Sequence, residues 1–315
     1  MTQWGFIGAG WVAAKALAGA VHTADGAELY AVAAREIARA RALHPRGPVY
    51  LSYEALLADP DVDVVYIALP NDAHLPWTLA ALEAGKHVLC EKPLALSAGQ
   101  VDEMVQAADA ADRLIVEASW YRWHPRIRRA EQLLANGELG TVREVDAGFA
   151  FGPVPVGNYR LESDRGGGAL YDIGPYVVSA CLWAFSWEPV RDVSAKLQRG
   201  TTGVDLTADL ILRFDDDEAR AHVGITEQPQ QWLTIHGERG ALEIPDSPYT
   251  AWYANPTAIV AGGERTTFGP VDAYRLMVEN VSAVIRGDDG WIVPLDQSRA
   301  VADVIDRCFA AAGEV

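Results

Sequence analysis

A chain of 315 residues, half of them hydrophobic, is long enough for two domains that each bury a core. Its formal net charge of -17 at pH 7 opposes binding to nucleic acid or to an anionic membrane. Cys90, Cys181 and Cys308 lie far apart in apolar surroundings, which is typical of reduced core thiols rather than of a disulfide framework or a metal site. Without a basic leader or an apolar run of about 18 residues, we expect a cytoplasmic protein with no membrane partner.

The first predicted strand, Trp4 to Ile7, leads into a glycine-rich turn and then an alanine-rich helix to about Ala24. The turn has the Gly-x-Gly-x-x-Gly/Ala pattern of a dinucleotide-binding βαβ unit, in which the second glycine lets a pyrophosphate approach the backbone. The phosphates would face the N–H groups at the helix start. The predicted cofactor contacts in this turn are Gly8, Ala9, Gly10, Trp11 and Val12.

The second predicted strand, Glu28 to Ala34, ends on Ala34-Arg35, with Arg39 one helical turn further on. An NAD-binding fold usually places an acid here for the ribose 2′-hydroxyl, whereas a guanidinium fits a 2′-phosphate by charge and geometry. Glu36 follows directly, and Arg35 could instead be a solvated residue at a helix start. We predict that Ala34, Arg35 and Arg39 contact the cofactor and that NADP(H) is favoured over NAD(H).

Two further predicted strands end in polar residues at one edge of the sheet. The run 61–69 leads into Leu69-Pro70-Asn71 and His74, and the run His87 to Cys90 leads into Glu91-Lys92-Pro93. Ligands of open α/β sheets bind at the carboxyl ends of the strands, and a buried charged pair is costly unless it is paired or used. Lys92 is therefore a predicted catalytic group. The other predicted ligand contacts here are Leu69, Pro70, Asn71, His74 and Glu91.

The remaining elements of the first domain are helices at 52–58, 73–84 and 97–111 and a sixth strand at 114–117, with Ser52 as a predicted helix N-cap. We place the domain boundary after residue 118. In the second domain, 119–315, we predict a helix to about Asn136, a strand at 141–150 and a helix from about Ala169. On that helix Asp172 and Tyr176 would share a face. Five alternating runs (190–198, 204–214, 219–226, 231–236 and 241–244) predict a mostly antiparallel open sheet, and helices are predicted at 273–285 and 297–312.

These residues resemble those of the glucose–fructose oxidoreductase/inositol dehydrogenase (Gfo/Idh/MocA) oxidoreductases. The motifs that carry the resemblance are Gly8-Ala9-Gly10, Pro70-Asn71-x-x-His74, Glu91-Lys92-Pro93, Tyr121-Arg122-Trp123-His124-Pro125 and the segment from Gly166 to Gly174. The fold that the resemblance implies is α/β, an N-terminal Rossmann domain followed by a C-terminal α/β domain with a large, mostly antiparallel open sheet. That sheet often mediates homodimers or homotetramers in the family.

The resemblance also implies NAD(P) in a cleft between the domains and a sugar, polyol or diol substrate. Lys92 would then act near the reacting carbon, and Tyr159, Arg160 and Tyr274 would contact the nicotinamide end. Many members have histidine where this chain has Tyr176. The tyrosine resembles the branch with glucose–fructose oxidoreductase and dimeric dihydrodiol dehydrogenase, in which it is the proposed acid/base.

The expected reaction moves a hydride between the substrate carbinol carbon and nicotinamide C4, with transfer of one oxygen-bound proton. Tyr176 is the first choice for the proton, because a nearby Lys92 ammonium would lower the pKa of a phenol from about 10. Alternatively, Lys92 itself exchanges the proton. Asp172, His74 and Arg122 are predicted to line the substrate pocket, although Asp172 could instead cap a helix.

Two other functions remain open on the sequence. A non-catalytic dinucleotide-sensing regulator would need neither Lys92 nor Tyr176. An NAD-dependent glycosidase of the same fold would hold its cofactor tightly, and Arg35 counts against it. The substrate itself would be selected by the loops at 151–164 and 249–268.

Overall fold

The first sheet has the strand order of a dinucleotide-binding fold. In the computed structural model, which describes residues 1–251 and 253–313, its six strands are parallel and ordered β3-β2-β1-β4-β5-β6. The strands are β1 Thr2–Ile7, β2 Ala27–Ala33, β3 Val49–Tyr50, β4 Val64–Ile67, β5 His87–Cys90 and β6 Ile115–Glu117. Every residue of β4 is buried, as expected for a parallel sheet that is covered on both faces. The predicted Rossmann sheet and its sixth strand are confirmed.

The helices follow the predicted pattern closely in the first half of the chain. A π-helical segment, Ala13–Leu17, precedes α1, and the Ser52 hydroxyl accepts the Ala55 N–H at 3.2 Å, which confirms the predicted N-cap. The helices are α1 Ala18–Thr23, α2 Ile37–Arg41, α3 Tyr53–Leu57, α4 His74–Glu83, α5 Ala98–Ala111, α6 Pro125–Ala135, α7 Ala169–Asp172, α8 Gly174–Ala184, α9 Ala273–Ile285 and α10 Leu295–Gly313.

The predicted single helix from Ala169 through Tyr176 is wrong. The backbone leaves the helical conformation at Ile173, where φ is -120° and ψ is -11°. Asp172 therefore ends α7, and Tyr176 lies in the first turn of α8 beside Pro175. Proline is tolerated at that position because its missing N–H would have no partner inside the helix.

The second sheet is large, open and mostly antiparallel, as predicted. Among the described residues it has eight strands in the order β14-β13-β12-β11-β7-β10-β9-β8, and β7 with β10 is its parallel pair. The strands are β7 Val142–Ala150, β8 Asp192–Arg199, β9 Asp205–Phe214, β10 Asp217–Gly224, β11 Gln230–Gly237, β12 Gly240–Glu243, β13 Thr257–Ala261 and β14 Glu264–Phe268.

The last two strands lie within 249–268, which the sequence predicts to be a loop. Gly262 and Gly263, with φ of 56° and 87°, join β13 to β14 in a two-residue hairpin. A Gly-Gly pair suits such a turn because both central residues need positive φ. Trp252, within the same predicted loop, lies outside the described residues.

The Cα positions divide the chain into two compact units. The first contains residues 1–95, 99–123 and 272–298, and the second contains 96–98, 124–271 and 299–315. Helix α9 thus belongs to the first unit, where it packs on α1 and β2. The predicted sequence boundary after residue 118 stays a prediction. None of the helices in the described part of the chain combines the length and apolar composition that a bilayer crossing requires.

Candidate active site

The glycine-rich turn follows β1 at the carboxyl edge of the first sheet. Gly8 has a φ of +96°, and a Cβ on it would lie 2.6 Å from the Ala68 carbonyl oxygen, so glycine is needed there for both conformation and space. A Cβ on Gly10 would meet only that oxygen, at 3.7 Å. The space beside Gly10 and the helix start at Trp11 fit the phosphates of a dinucleotide. The Trp11 side chain is 71% exposed.

The end of β2 brings a guanidinium to this turn. Ala34 is buried, Arg35 is exposed, and Arg39 donates through Nη2 to the Ala9 carbonyl oxygen at 2.9 Å. Glu36 lies 3.8 Å from Arg39 in an exposed pair. The positive charge of Arg39 therefore lies beside the glycine turn, and the carboxylate of Glu36 lies beside Arg39.

His74 is fully buried at the end of β4. Its Nδ1 lies 2.7 Å from the Pro93 carbonyl oxygen, and its Nε2 lies 3.0 Å from the Leu69 carbonyl oxygen. Burial lowers the pKa of His74 despite these two acceptors. The ring thus joins the segment after β4 to the segment after β5. A direct contact with substrate stays a prediction.

Lys92 follows β5, which pairs with β4, and β4 pairs with β1. The glycine turn, the buried Asn71 and Lys92 therefore follow three adjacent strands at one edge of the sheet. The neighbouring Glu91 is buried and accepts the Tyr66 hydroxyl at 2.6 Å. Burial raises the pKa of Glu91, and the Lys92 charge opposes that shift.

Two further predicted ligand contacts in the first unit, Arg122 and Tyr274, lie against tryptophan rings. The Arg122 guanidinium, in a residue that is 2% exposed, donates to Gln297 Oε1 at 3.3 Å and lies 5.6 Å from the centre of the Trp291 ring. The Tyr274 ring stacks on Trp120 with 4.4 Å between centroids. Their predicted contacts with ligand stay predictions.

In the second unit, Asp172 is paired with Arg160. Arg160 donates through Nε to Asp172 Oδ2 at 2.6 Å, and only 5% of the Asp172 side chain is exposed. Burial opposes the charge of Arg160, but Asp172 outweighs it and the pKa of Arg160 is raised. The guanidinium also lies 4.9 Å from the centre of the Tyr159 ring. Two predicted cofactor contacts and one predicted substrate contact thus form one cluster.

Tyr176 lies within reach of the Arg160 charge and among aromatic rings. The electrostatic interaction between the two side chains raises the pKa of Arg160, so a charged guanidinium and an ionised phenol stabilise each other. The Tyr176 ring is 7% exposed and packs against Phe149 and Tyr249, with centroids 5.7 and 6.2 Å apart. Burial among aromatic rings disfavours an ionised phenol, whereas the Arg160 charge favours it, so Tyr176 combines an apolar setting with a cation that interacts with it.

The loop before α7 is fixed by an acid that sequence reasoning missed. Asp205, at the start of β9, accepts the Leu170 N–H at 2.7 Å, and a Cβ on Gly168 would lie 2.1 Å from its Oδ1. Gly168 has a φ of +111°. Close approach of the Asp205 carboxylate therefore explains Gly168, whereas a Cβ on Gly167 would lie 2.6 Å from the Arg160 carbonyl oxygen. No local pattern marks Asp205 in the sequence.

Comparison with known proteins supports the resemblance over most of the chain. Residues 2–118 match the model of an oxidoreductase family with an NAD-binding Rossmann fold, and residues 127–243 match the GFO/IDH/MocA C-terminal domain. A D-xylose 1-dehydrogenase (NADP(+)) of Haloferax volcanii is 33% identical, and the alignment covers 98% of this chain and 97% of that protein. A trans-1,2-dihydrobenzene-1,2-diol dehydrogenase of Bos taurus is 32% identical, with 99% and 97% covered.

The solved structures give the same result. The 3-ketoreductase KijD10 of Actinomadura kijaniata, in complex with NADP and TDP-benzene, superposes with a TM-score of 0.91 at 26% identity and covers 98% of this chain and 97% of its own. The chain belongs to the GFO/IDH/MocA family of NAD(P)-dependent oxidoreductases.

Proposed function

We propose that this oxidoreductase prefers NADP(H) and transfers a hydride between nicotinamide C4 and the carbinol or carbonyl carbon of a sugar, polyol or diol. The observation that carries the proposal is the edge of the first sheet, where the glycine turn, Asn71 and Lys92 follow the adjacent strands β1, β4 and β5. That edge is where open α/β sheets bind nucleotides. The names of the relatives, a D-xylose dehydrogenase, a trans-1,2-dihydrobenzene-1,2-diol dehydrogenase and a 3-ketoreductase, support the substrate class.

The preference for NADP(H) is supported by Arg39, whose guanidinium is held beside the glycine turn by the Ala9 carbonyl. A 2′-phosphate would there gain charge-assisted hydrogen bonds from Arg39 and the adjacent Arg35. Fluorescence titration with NADPH and NADH tests this. We expect NADPH to bind more tightly, and equal or tighter binding of NADH would overturn the preference.

The nicotinamide, when bound, supplies the site that gives or takes the hydride. In the oxidation direction we propose that Tyr176 accepts the hydroxyl proton of the substrate and that Lys92 stabilises the negative charge that develops on that oxygen. Arg160 supports the ionised phenol, and Asp172 holds Arg160 in place. In the reverse direction the Tyr176 hydroxyl returns the proton.

Variants of Tyr176 and Lys92 separate the roles of the two side chains. Their activity is measured on a panel of aldoses, keto-sugars and trans-diols. Tyr176→Phe keeps the ring and its packing but removes the exchangeable proton, so kcat should fall by about 10²- to 10⁴-fold. Lys92→Met should also abolish most turnover while leaving the fold intact. Full activity of Tyr176→Phe with an unaltered pH profile would remove tyrosine from the mechanism. NADPH binding with no turnover of any panel member would favour a non-catalytic sensor.

We also propose that the chain forms a homodimer or homotetramer through the second sheet. Three strand residues support this. The rings of Trp232 and His222 are stacked, with 6.2 Å between their centroids and 14° between their planes. A Cβ on Gly148 would collide with the Trp232 ring. Trp232 also donates to Asp146 at 2.7 Å, and His222 lies 2.8 Å from Asp209. An indole laid flat along a sheet over a glycine offers a broad apolar contact surface with a polar rim, as interfaces require.

A further inference from the structure

Asp205, the first residue of β9, is a buried carboxylate to which the proposed reaction gives no part. It is 1% exposed, and burial raises its pKa to about 6. Hydrogen bonds from the backbone N–H groups of Leu170 and Ala169 oppose that shift, the first with 2.7 Å between the Leu170 nitrogen and Asp205 Oδ2. A buried acid must be paired or used. The bonds that Asp205 accepts hold the backbone at the start of α7.

Gly168 lies against this carboxylate and connects the backbones of Arg160 and Asp172. Its N–H donates to the Arg160 carbonyl oxygen at 2.9 Å, and its own carbonyl oxygen accepts the Asp172 N–H at 3.1 Å. A Cβ on Gly168 would lie 2.1 Å from Asp205 Oδ1, so the carboxylate leaves room for glycine and for no larger residue. Both members of the charged pair are therefore bonded to a residue that packs directly on Asp205.

The side chains of Arg160 and Asp172 meet across the loop that Gly168 closes. They are 12 residues apart along the chain, and Arg160 Nε lies 2.6 Å from Asp172 Oδ2. The Arg160 guanidinium interacts in turn with the Tyr176 phenol. Because residue 168 is bonded to both backbones, a displacement there would change the orientation of the pair and, through Arg160, the surroundings of Tyr176.

Asp205 is suited to hold this loop because it lies on a strand inside the second sheet. Strand β9 pairs with β8 and with β10, and Asp205 itself lies opposite Arg199 of β8. Side chains on strands hold a site more precisely than side chains on loops. Asp205 thus fastens the loop between Arg160 and Asp172 to the sheet.

We propose that Asp205 is a positioning residue for the reaction, holding residues 168–170 so that Arg160 and Asp172 pair in the orientation that Arg160 needs beside Tyr176. The inference rests on the proposed function, because it takes Tyr176 as the group that exchanges the proton. Asp205 acts through Gly168 and Leu170 and is not itself a catalytic residue.

Two variants of Asp205 give a graded test, with kcat measured at saturating cofactor and substrate. Asp205→Ala removes the acceptor of the Leu170 N–H, and kcat should fall by about 10²-fold, the cost of displacing a catalytic group by about 1 Å. Asp205→Asn keeps an oxygen acceptor but loses the charge that strengthens the bond, so the fall should be about tenfold. Wild-type kcat in both folded variants would overturn the inference. A loss as large in Asp205→Asn as in Asp205→Ala would also overturn it, because the acceptor would then be irrelevant.

Asp59→Ala is the matched control. Asp59 is 8% exposed, and its carboxylate accepts the Asp61 N–H at 2.9 Å and the Tyr50 hydroxyl at 2.8 Å. It precedes β4, whereas the glycine turn and Lys92 follow their strands. Asp59→Ala should therefore lower the thermal midpoint and leave kcat unchanged. An equal fall of kcat in this variant would mean that general loosening of the fold is responsible, which would refute the role of Asp205.

A double-mutant cycle shows whether Asp205 acts through the charged pair. In the Asp172→Asn background the pair is already disturbed, so Asp205→Ala should lower kcat much less than it does in the wild type. Equal fold-changes in the two backgrounds would refute the inference, because Asp205 would then act independently of Asp172. If Asp205→Ala does not fold, Asp205→Asn takes its place in the cycle with the same two outcomes.

A readout without turnover separates this inference from the proposed function. The Arg160 Nε–H resonance, assigned by Arg160→Lys in ¹⁵N-arginine-labelled protein, should exchange slowly with water in the wild type and faster in Asp205→Asn, but not in Asp59→Ala. Unchanged exchange in Asp205→Asn would refute the positioning role alone. If Tyr176→Phe kept full activity, the proposed proton transfer would be wrong, even where the Arg160 resonance responded to Asp205. If Tyr176→Phe were inactive while both Asp205 variants kept wild-type kcat, only the role of Asp205 would fall.

Discussion

Replacing Asp172 by asparagine should weaken both the fold and the reaction, because it leaves the Arg160 guanidinium without its buried counter-charge. The two groups are 2.6 Å apart, with 5% of the Asp172 side chain and 27% of the Arg160 side chain exposed. A fully buried pair that loses one partner costs about 3–5 kcal/mol, and a hydrogen bond to a charged group contributes about 1.5–3 kcal/mol. Since Arg160 reaches solvent and asparagine still offers an acceptor, we expect the lower range, a loss of about 1.5–3 kcal/mol in the free energy of unfolding.

The chain provides a matched control for this change. Asp192 pairs with Arg213 at the same 2.6 Å, but 63% and 42% of the two side chains are exposed. Solvent screening limits such a pair to about 0–1 kcal/mol, so Asp192→Asn should change the unfolding free energy by no more than that. Urea denaturation of the two variants and the wild type, at one pH and salt concentration, measures the difference.

The catalytic consequence follows from the electrostatic interaction of Arg160 with Tyr176. Without Asp172 the guanidinium is less well oriented toward Tyr176, so kcat should fall and its pH dependence should change. The Asp192→Asn variant should keep the wild-type profile. The reasoning is refuted if Asp172→Asn and Asp192→Asn lose equal stability and Asp172→Asn retains the wild-type kcat and profile.

Three other changes give separate expectations. Burial raises the pKa of Asp205 from 3.8 to about 6, so the folded state holds that proton more tightly than the unfolded state and its contribution to stability is lost as pH rises from 4 through 6. The fall should be about 3 kcal/mol, and Asp205→Asn should flatten it in denaturation curves across that range; an unchanged slope would contradict the assignment. Arg39→Ala should weaken NADPH about tenfold or more and leave NADH nearly unaffected, whereas equal loss for both would mean that Arg39 supports only the turn. Trp232→Ala should shift the chain toward monomer in analytical ultracentrifugation if the second sheet is the interface, with Trp187→Phe, in a turn after α8, as the control that should keep the wild-type mass.

The sequence by itself determined the elements whose cause is local. Strand β5 and helix α9 begin and end at the predicted residues. An apolar run that is bounded by a glycine or a helix cap indicates by itself which residues are buried and where the element ends. The glycine turn was likewise readable, since the φ of Gly8 is a property of a few consecutive residues. The hairpin of β13 and β14 could also have been predicted from the sequence, because a Gly-Gly pair between two strand-like runs indicates a two-residue turn.

The tertiary structure alone decided which charges are paired. Nothing in the spacing of Arg160 and Asp172 indicates that they meet. The helix break at Ile173, by contrast, has a local signal, because Gly174-Pro175 marks a helix boundary and proline is typical of a first helical turn. Glu117 could have been noticed by the argument applied to Glu91, as a charge at a buried strand end, but its partners Leu94 and Ser298 could not be named. A local sequence pattern indicates whether a residue is buried. The partner that offsets the desolvation of a buried charge comes from distant segments, which only the folded chain brings together.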